Sequence, residues 1–264
     1  AYKHGKKYFH YTSVWAANKI LTEGLLVFPS GGFNDKTDHN DKNSEFCFCL
    51  TTGDEENLPL WYFYAGVDGC GCRIKFTETK IRKIMNESEY ILCIVNNKKE
   101  VVEEVATLQK GENLKVDFRD VLYYKIVGDV VILKYNNRVI NDFPIEEFNI
   151  SEIEKYVTLK SLIWYYEKET RLIFTLYGKF PKEKYAIRIK TPEKFFNDIN
   201  ITFAPEVDEK KFDTYREVYP KINELFLKTS KVKFSQYKGT VKMDFLEKLK
   251  EYQNKQNESI GNNA

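Results

Sequence analysis

Apolar and polar positions change period repeatedly along this chain, and each change marks an element. Lys7–Tyr11 alternates as a short strand. Thr12 or Ser13 then offers an N-cap for a helix that runs to about Glu23, and Gly24 stops it. Leu25–Phe28 reads as a strand, Pro29–Asp35 as a loop followed by a polar stretch to Ser44, and Phe46–Leu50 as a strand. Pro59 suits the first position of a short helix over Leu60–Ala65. Cys70–Phe76 and Tyr90–Val95 read as strands on either side of a helix over Thr79–Asn86. Lys98–Lys110 reads as a helix with Gly111–Val116 as its exit, and Val121–Lys134 as a hairpin turning at Gly128-Asp129. Ile145–Lys160 reads as helical and Ile163–Thr175 as a long strand. Then come a strand at Tyr185–Ile189, a helix near Pro192–Ile199, a strand at Ile199–Phe203, a helix over Phe212–Thr229 and a strand at Val232–Gln236. Strands and helices mix without regular βαβ alternation. The expected fold is therefore α+β, a single domain over residues 1–248 around a mixed, mostly antiparallel, split sheet, with a polar tail at 249–264.

Composition narrows this picture. A hydrophobic content of 42% can fill a core, so the chain is not a disordered one. The net charge of +2 gives no global pull toward nucleic acid, although Lys231–Lys238 mixes cations with aromatics. No apolar run reaches the length of a membrane span and the first residues carry no apolar signal core, so a soluble cytoplasmic protein is expected, with no membrane partner. The five cysteines include Cys47-Phe48-Cys49 and Cys70-Gly71-Cys72, a C-x-C spacing rather than the C-x2-C of zinc knuckles. Both pairs sit in strand-like runs where Cys acts as a small hydrophobe, so reduced thiols and no metal are expected. G-x-G-x-x-G, the P-loop pattern, H-E-x-x-H and G-x-S-x-G are all missing from the sequence.

The residues most able to carry chemistry lie in Trp164–Phe174. On a strand, Glu167, Glu169 and Arg171 would share a face, and two adjacent carboxylates in an apolar run raise the cost of burial. They form either a solvated face with an arginine partner or a carboxylate site on a rigid strand. His10, at the end of a strand and the mouth of a helix with Thr12 and Ser13, is either a satisfied half-buried histidine or a polar contact for a ligand. Trp61 and Tyr64 share a helix face, as core aromatics or as a wall for a flat ring. Asn34 and Asp35 are turn residues or reach a ribose.

Phe9–Ser13, Phe33-Asn34-Asp35, Leu58–Ala65, Gly69–Phe76 and Trp164–Ile173, with Ile201–Pro205 and Val232–Tyr237, together resemble the bacterial family called domain of unknown function twenty-nine seventy-one. The resemblance spans most of the chain; its specific parts are W-x-x-Y-A and Y-E-x-E-x-R-L-I. Here Lys36 follows Asn34-Asp35, where that family more often has proline. More distantly, the order His10, Tyr64, Glu169 resembles the His-Tyr-Glu arrangement of ADP-ribosyltransferases, with Trp61 standing where that superfamily often has serine. This resemblance implies an enzyme that takes NAD as substrate and transfers ADP-ribose to a macromolecular acceptor, protein or nucleic acid. It implies a bacterial toxin or antiviral effector, with an antitoxin or regulatory protein as a further partner. Glu169 and Glu167 would then be catalytic, and His10, Thr12, Ser13, Asn34, Trp61, Tyr64 and Arg171 would hold the dinucleotide, with no metal required. Two other classes fit the same residues: a non-catalytic module binding a nucleotide or nucleic acid, and a metal-dependent nuclease at Glu167 and Glu169.

Overall fold

The structure is a computed structural model; it describes residues 5–29, 44–53, 55–64, 71–135, 138–144, 158–178, 185–192, 195–196, 199–228, 232–236 and 238. Among these the fold is α+β with one large, mostly antiparallel hydrogen-bonded sheet. The strands are β1 (Lys7–Ser13), β2 (Leu25–Pro29), β3 (Glu45–Thr52), β4 (Gly71–Thr77), β5 (Glu89–Val95), β6 (Val101–Leu108), β7 (Leu114–Val127), β8 (Val130–Tyr135), β9 (Arg138–Pro144), β10 (Thr158–Ser161), β11 (Glu169–Leu176), β12 (Tyr185–Lys190), β13 (Asn200–Phe203) and β14 (Val232–Phe234). The helices are α1 (Val14–Glu23), α2 (Leu58–Tyr64), α3 (Glu78–Glu87), α4 (Glu209–Val218) and α5 (Pro220–Lys228), with a 3₁₀ helix over Leu162–Glu167.

The main path runs β14-β13-β4-β1-β3-β11-β7-β8-β9, and a branch runs β2-β12-β5-β6. The two meet on one edge of β3. Thr51 and Thr52 pair there with Phe9 and Tyr8 of β1, whereas Cys47 and Phe46 pair with Phe28 and Pro29 of β2. Between these pairings β1 and β2 part, and the backbone of β3 near Cys49 faces the fork. The opposite edge of β3 is paired without interruption to β11, from Glu169 opposite Thr51 to Thr175 opposite Glu45. Parallel pairing occurs at β10 with β7 and at β13 with β14.

Local chemistry explains the elements around the fork. Ser13 caps α1 by accepting from Ala16 N–H at 3.1 Å, and Gly24 ends it at φ 88°. A Cβ on Gly24 would stand 2.5 Å from the Ile189 carbonyl oxygen. Gly24→Ala is thus expected to lose about 1–3 kcal/mol through backbone strain and this clash, measurable by denaturant unfolding. The core beneath the sheet includes Tyr8, Ala17, Leu25, Phe46, Leu50, Trp61, Phe76, Ile81, Leu172 and Phe174, all buried.

Several expectations change. Val101–Leu108 is a strand, not part of a helix: it pairs against β5 from Val101 opposite Val95 to Leu108 opposite Tyr90, and that tertiary pairing overrides a Glu-rich, helix-favouring composition. Thr158–Ser161 is likewise a strand where a helix was expected; 145–157 lie outside the described residues. The stretch read as one helix over 212–229 is two, divided at Tyr219, because Pro220 cannot donate to the preceding turn. Near 192–199, Phe195 and Phe196 form a turn. The polar tail, the loop holding Asn34 and Asp35, and Cys70 lie outside the described residues. Cys47 and Cys49 lie on β3, Cys72 on β4 and Cys93 on β5.

Candidate functional site

The expected long strand through Glu167 breaks just before Glu169. Lys168 adopts the left-handed conformation, φ 45° and ψ 50°, between the 3₁₀ helix and β11. A non-glycine residue pays for this conformation in strain, and β3 holds it there. Thr51 Oγ1 donates to the Glu167 carbonyl, and Thr52 donates to the Lys168 carbonyl from N–H at 3.1 Å and from Oγ1 at 3.2 Å. Glu167 and Glu169 are therefore not strand neighbours on one face. They reach the same spot from a turn and from a strand end.

What joins them is Lys160, on the short parallel strand β10. Its Nζ donates to Glu167 Oε2 at 2.5 Å and to Glu169 Oε2 at 3.2 Å. Arg171 closes the other side of Glu169 with a two-pronged contact, Nε to Oε1 at 2.8 Å and a terminal nitrogen to Oε2 at 3.0 Å. Tyr64 Oη donates to Glu167 Oε1 at 2.6 Å. All four charged side chains are buried, so two carboxylates and two cations form a closed network.

The electrostatics of the two acids differ. Burial alone would push Glu169 up, but the Arg171 guanidinium and the Lys160 ammonium overcome it and hold this carboxyl well below the usual carboxylate range. Burial also raises Glu167, the Glu169 charge adds to it, and Lys160 and Tyr64 offset only part. Lys160 is raised: burial works against its charge, and the two carboxylates outweigh that. Burial and the Glu167 charge raise Tyr64, keeping its phenol a donor.

His10 sits in the fork. Its Nδ1 lies 2.9 Å from the carbonyl oxygen of Cys49 and its ring lies 4.4 Å from that of Phe48. Donation from Nδ1–H satisfies the carbonyl that the parting of β1 and β2 exposes, and leaves Nε2 as an acceptor. Burial depresses this histidine to about 4, against a partial opposing effect of the Cys49 contact. The unfolded histidine binds a proton below about 6.5 and the folded one only near 4, so stability is fully present above the upper value and falls as pH drops between them. His10→Asn, whose amide can still donate to Cys49, is expected to flatten the pH dependence of unfolding across that window by up to about 3 kcal/mol.

A cavity of 360 Å³ is lined by His10, Tyr64, Trp164, Glu167, Glu169 and Arg171, together with Lys160 and Cys49. A larger one of 860 Å³ shares His10, Cys49, Tyr64 and Lys99 with it and extends past Thr12, Lys19, Phe28 and Arg188. The two thus meet at the fork.

The structure brings together His10, Tyr64, Glu167, Glu169 and Arg171, and places Thr12 on the adjoining wall. Two other sequence candidates have different tasks. Trp61, 1% exposed, is a core residue: its indole N–H donates to Glu56 Oε2 at 3.0 Å and its ring packs edge-on against Tyr11, because the N-terminal turn of α2 points it inward. Ser13 spends its hydroxyl on capping α1. Three contributors are not among the site residues read from the sequence, although Trp164 heads the stretch singled out there. Lys160 was concealed in a segment read as helix, and Trp164 in a run read as strand. Asn57 accepts from Leu60 N–H at 3.3 Å and donates to the Tyr166 carbonyl at 2.6 Å, tying α2 to the 3₁₀ helix. An Asn three residues before Leu60 is a cap signal that could have revealed it.

No family model matches the chain, and neither a curated protein nor a solved structure matches it.

Proposed function

We propose that this protein cleaves NAD at the nicotinamide–ribose bond and transfers ADP-ribose to a macromolecular acceptor, in the manner of ADP-ribosyltransferases. The observation that carries the proposal is that one cavity at the fork of the sheet is lined by His10, Tyr64, Glu167 and Glu169 together. Glycosidic cleavage develops positive charge on the ribose. Glu169, fixed as an anion by Arg171 and Lys160, suits the task of stabilising that charge. Tyr64 and Trp164 supply aromatic surface for the nicotinamide ring. The adjoining cavity has room for the rest of a dinucleotide; Lys99 lines it, and Lys19 and Arg188, paired there with Glu23 and Glu104, would have to exchange those partners for the phosphates.

A metal-dependent nuclease fits less well. The Lys160 ammonium lies where a cation shared by Glu167 and Glu169 would bind. Among the described residues no group of three or more His, Cys, Asp or Glu side chains is arranged for a metal.

The test is incubation of the purified protein with NAD, alone and with cell extract as a source of acceptors, while free nicotinamide is quantified by chromatography. The expected result is nicotinamide in excess of protein, with label from the adenylate moving to a macromolecule in the extract. NAD that binds and is recovered intact would instead support a binding module.

A further inference from the structure

We infer that Lys160 is a positioning residue that gives the two glutamates different duties, fixing Glu169 with Arg171 as a standing negative charge and leaving Glu167, bridged to Tyr64, to take a proton from the acceptor. This rests on the reading of the cavity as a transferase site and goes beyond it, because no part of the His-Tyr-Glu arrangement calls for a lysine between the two acids.

The geometry is asymmetric. Lys160 touches both carboxylates, but only Glu169 also holds a guanidinium, and only Glu167 also accepts from a phenol. The lysine has little freedom to choose otherwise. β10 pairs in parallel with β7, with Lys160 opposite Tyr123, and the Nζ lies 5.1 Å from the ring centre of Trp164. Its side chain is 7% exposed, so water does not screen the contact.

The groups facing this pair come from every surrounding element. Arg171 approaches from β11, Cys49 from β3 with its thiol against Glu169, and His10 from β1. Tyr64 approaches from α2, Tyr123 from β7, and Tyr166 lies beside Glu167. Lys99 lines the same cavity. Of these, Arg171 is committed to Glu169 by two hydrogen bonds, His10 is neutral near pH 7, and burial raises the thiol and the phenols. Glu167 is left with only the ammonium and the phenol to offset burial and the Glu169 charge, so of the two acids it binds a proton the more readily.

The step then balances. As the bond from ribose C1′ to the nicotinamide nitrogen breaks, its electron pair leaves with the ring, and nicotinamide departs neutral. The acceptor's oxygen or nitrogen bonds to C1′, and its proton passes to the Glu167 carboxylate.

The test pairs two readouts on wild type, Lys160→Met and Lys160→Arg. One is the pH profile of transfer from NAD. Lys160→Met removes the cation that favours ionised Glu167, so the acid limb is expected to move to higher pH. The rate at pH 7 is expected to fall on the order of 10²-fold with KM for NAD little changed, and Lys160→Arg is expected to recover part of both. The other readout needs no activity: ¹³C carboxyl titration by NMR, with Glu167→Gln and Glu169→Gln used to assign the two signals. In wild type Glu167 should titrate above the ordinary carboxylate range and Glu169 below it, and in Lys160→Met Glu167 should move further up. Reversed order in wild type overturns the inference even if Lys160→Met fails to fold. So does an unmoved Glu167 signal in a folded Lys160→Met protein, or a lower melting temperature with the acid limb unmoved. If wild type releases no nicotinamide, the transferase reading and the proton-transfer duty fail together, and the titration alone decides whether Lys160 divides the charge of the pair.

Discussion

Arg171→Met is expected to destabilise the fold by about 3–5 kcal/mol at neutral pH, the scale for breaking a buried ion pair from one side. Arg171 is 1% exposed and both of its contacts to Glu169 are short, so the substitution leaves a carboxylate buried between Cys49 and Lys160 without its main partner. The pH dependence separates this from a packing defect. In the wild type Glu169 is held below its unfolded value, so its contribution is present above the ordinary carboxylate range and lost on acidification. In the variant Glu169 protonates more readily. The difference in stability should therefore shrink as pH falls, whereas a packing defect would keep it constant. Urea unfolding at several pH values measures this directly.

Glu169→Gln is expected to lower nicotinamide release on the order of 10²–10³-fold when wild type and variant are compared at equal folded fraction. The amide keeps the shape but loses the charge that would face the cationic ribose. It also turns an N–H₂ toward Arg171 or Lys160, donors that cannot accept it. Some loss of stability, about 1–3 kcal/mol, should accompany the loss of rate. Glu167→Gln should spare NAD hydrolysis more than transfer, because Glu167 faces Tyr64 and Lys160 rather than the Arg171 clamp. Equal rates in Glu169→Gln and wild type would remove the catalytic role from this acid.

The parts of the fold set by local rules were legible in the sequence. The Ser13 cap and Gly24 stop, the hairpin turn at Gly128 and the cysteine-bearing strands all follow from short-range signals. The fork was not, because the parting of β1 and β2 along β3 is a matter of long-range register. Lys160 escaped for the same reason: a four-residue strand is defined by its partner β7, not by its own pattern. Glu167 and Glu169 were recognised as a pair on an incorrect premise. A straight strand would have placed them side by side, yet the left-handed turn at Lys168 and the ammonium of Lys160 bring them together. Trp61 shows the opposite limit. Helical spacing put it with Tyr64, but the Glu56 carboxylate and the Tyr11 ring claim it for the core.

The most direct measurement is a crystal structure of the protein with a non-cleavable carbocyclic analogue of NAD. The nicotinamide ring is expected in the smaller cavity against Tyr64 or Trp164, with a hydroxyl of the adjoining sugar-like ring in hydrogen-bonding reach of Glu169 or Glu167, and the phosphates toward Lys19, Lys99 and Arg188. An analogue bound at saturation on another surface, with the fork at His10 unfilled, would contradict it.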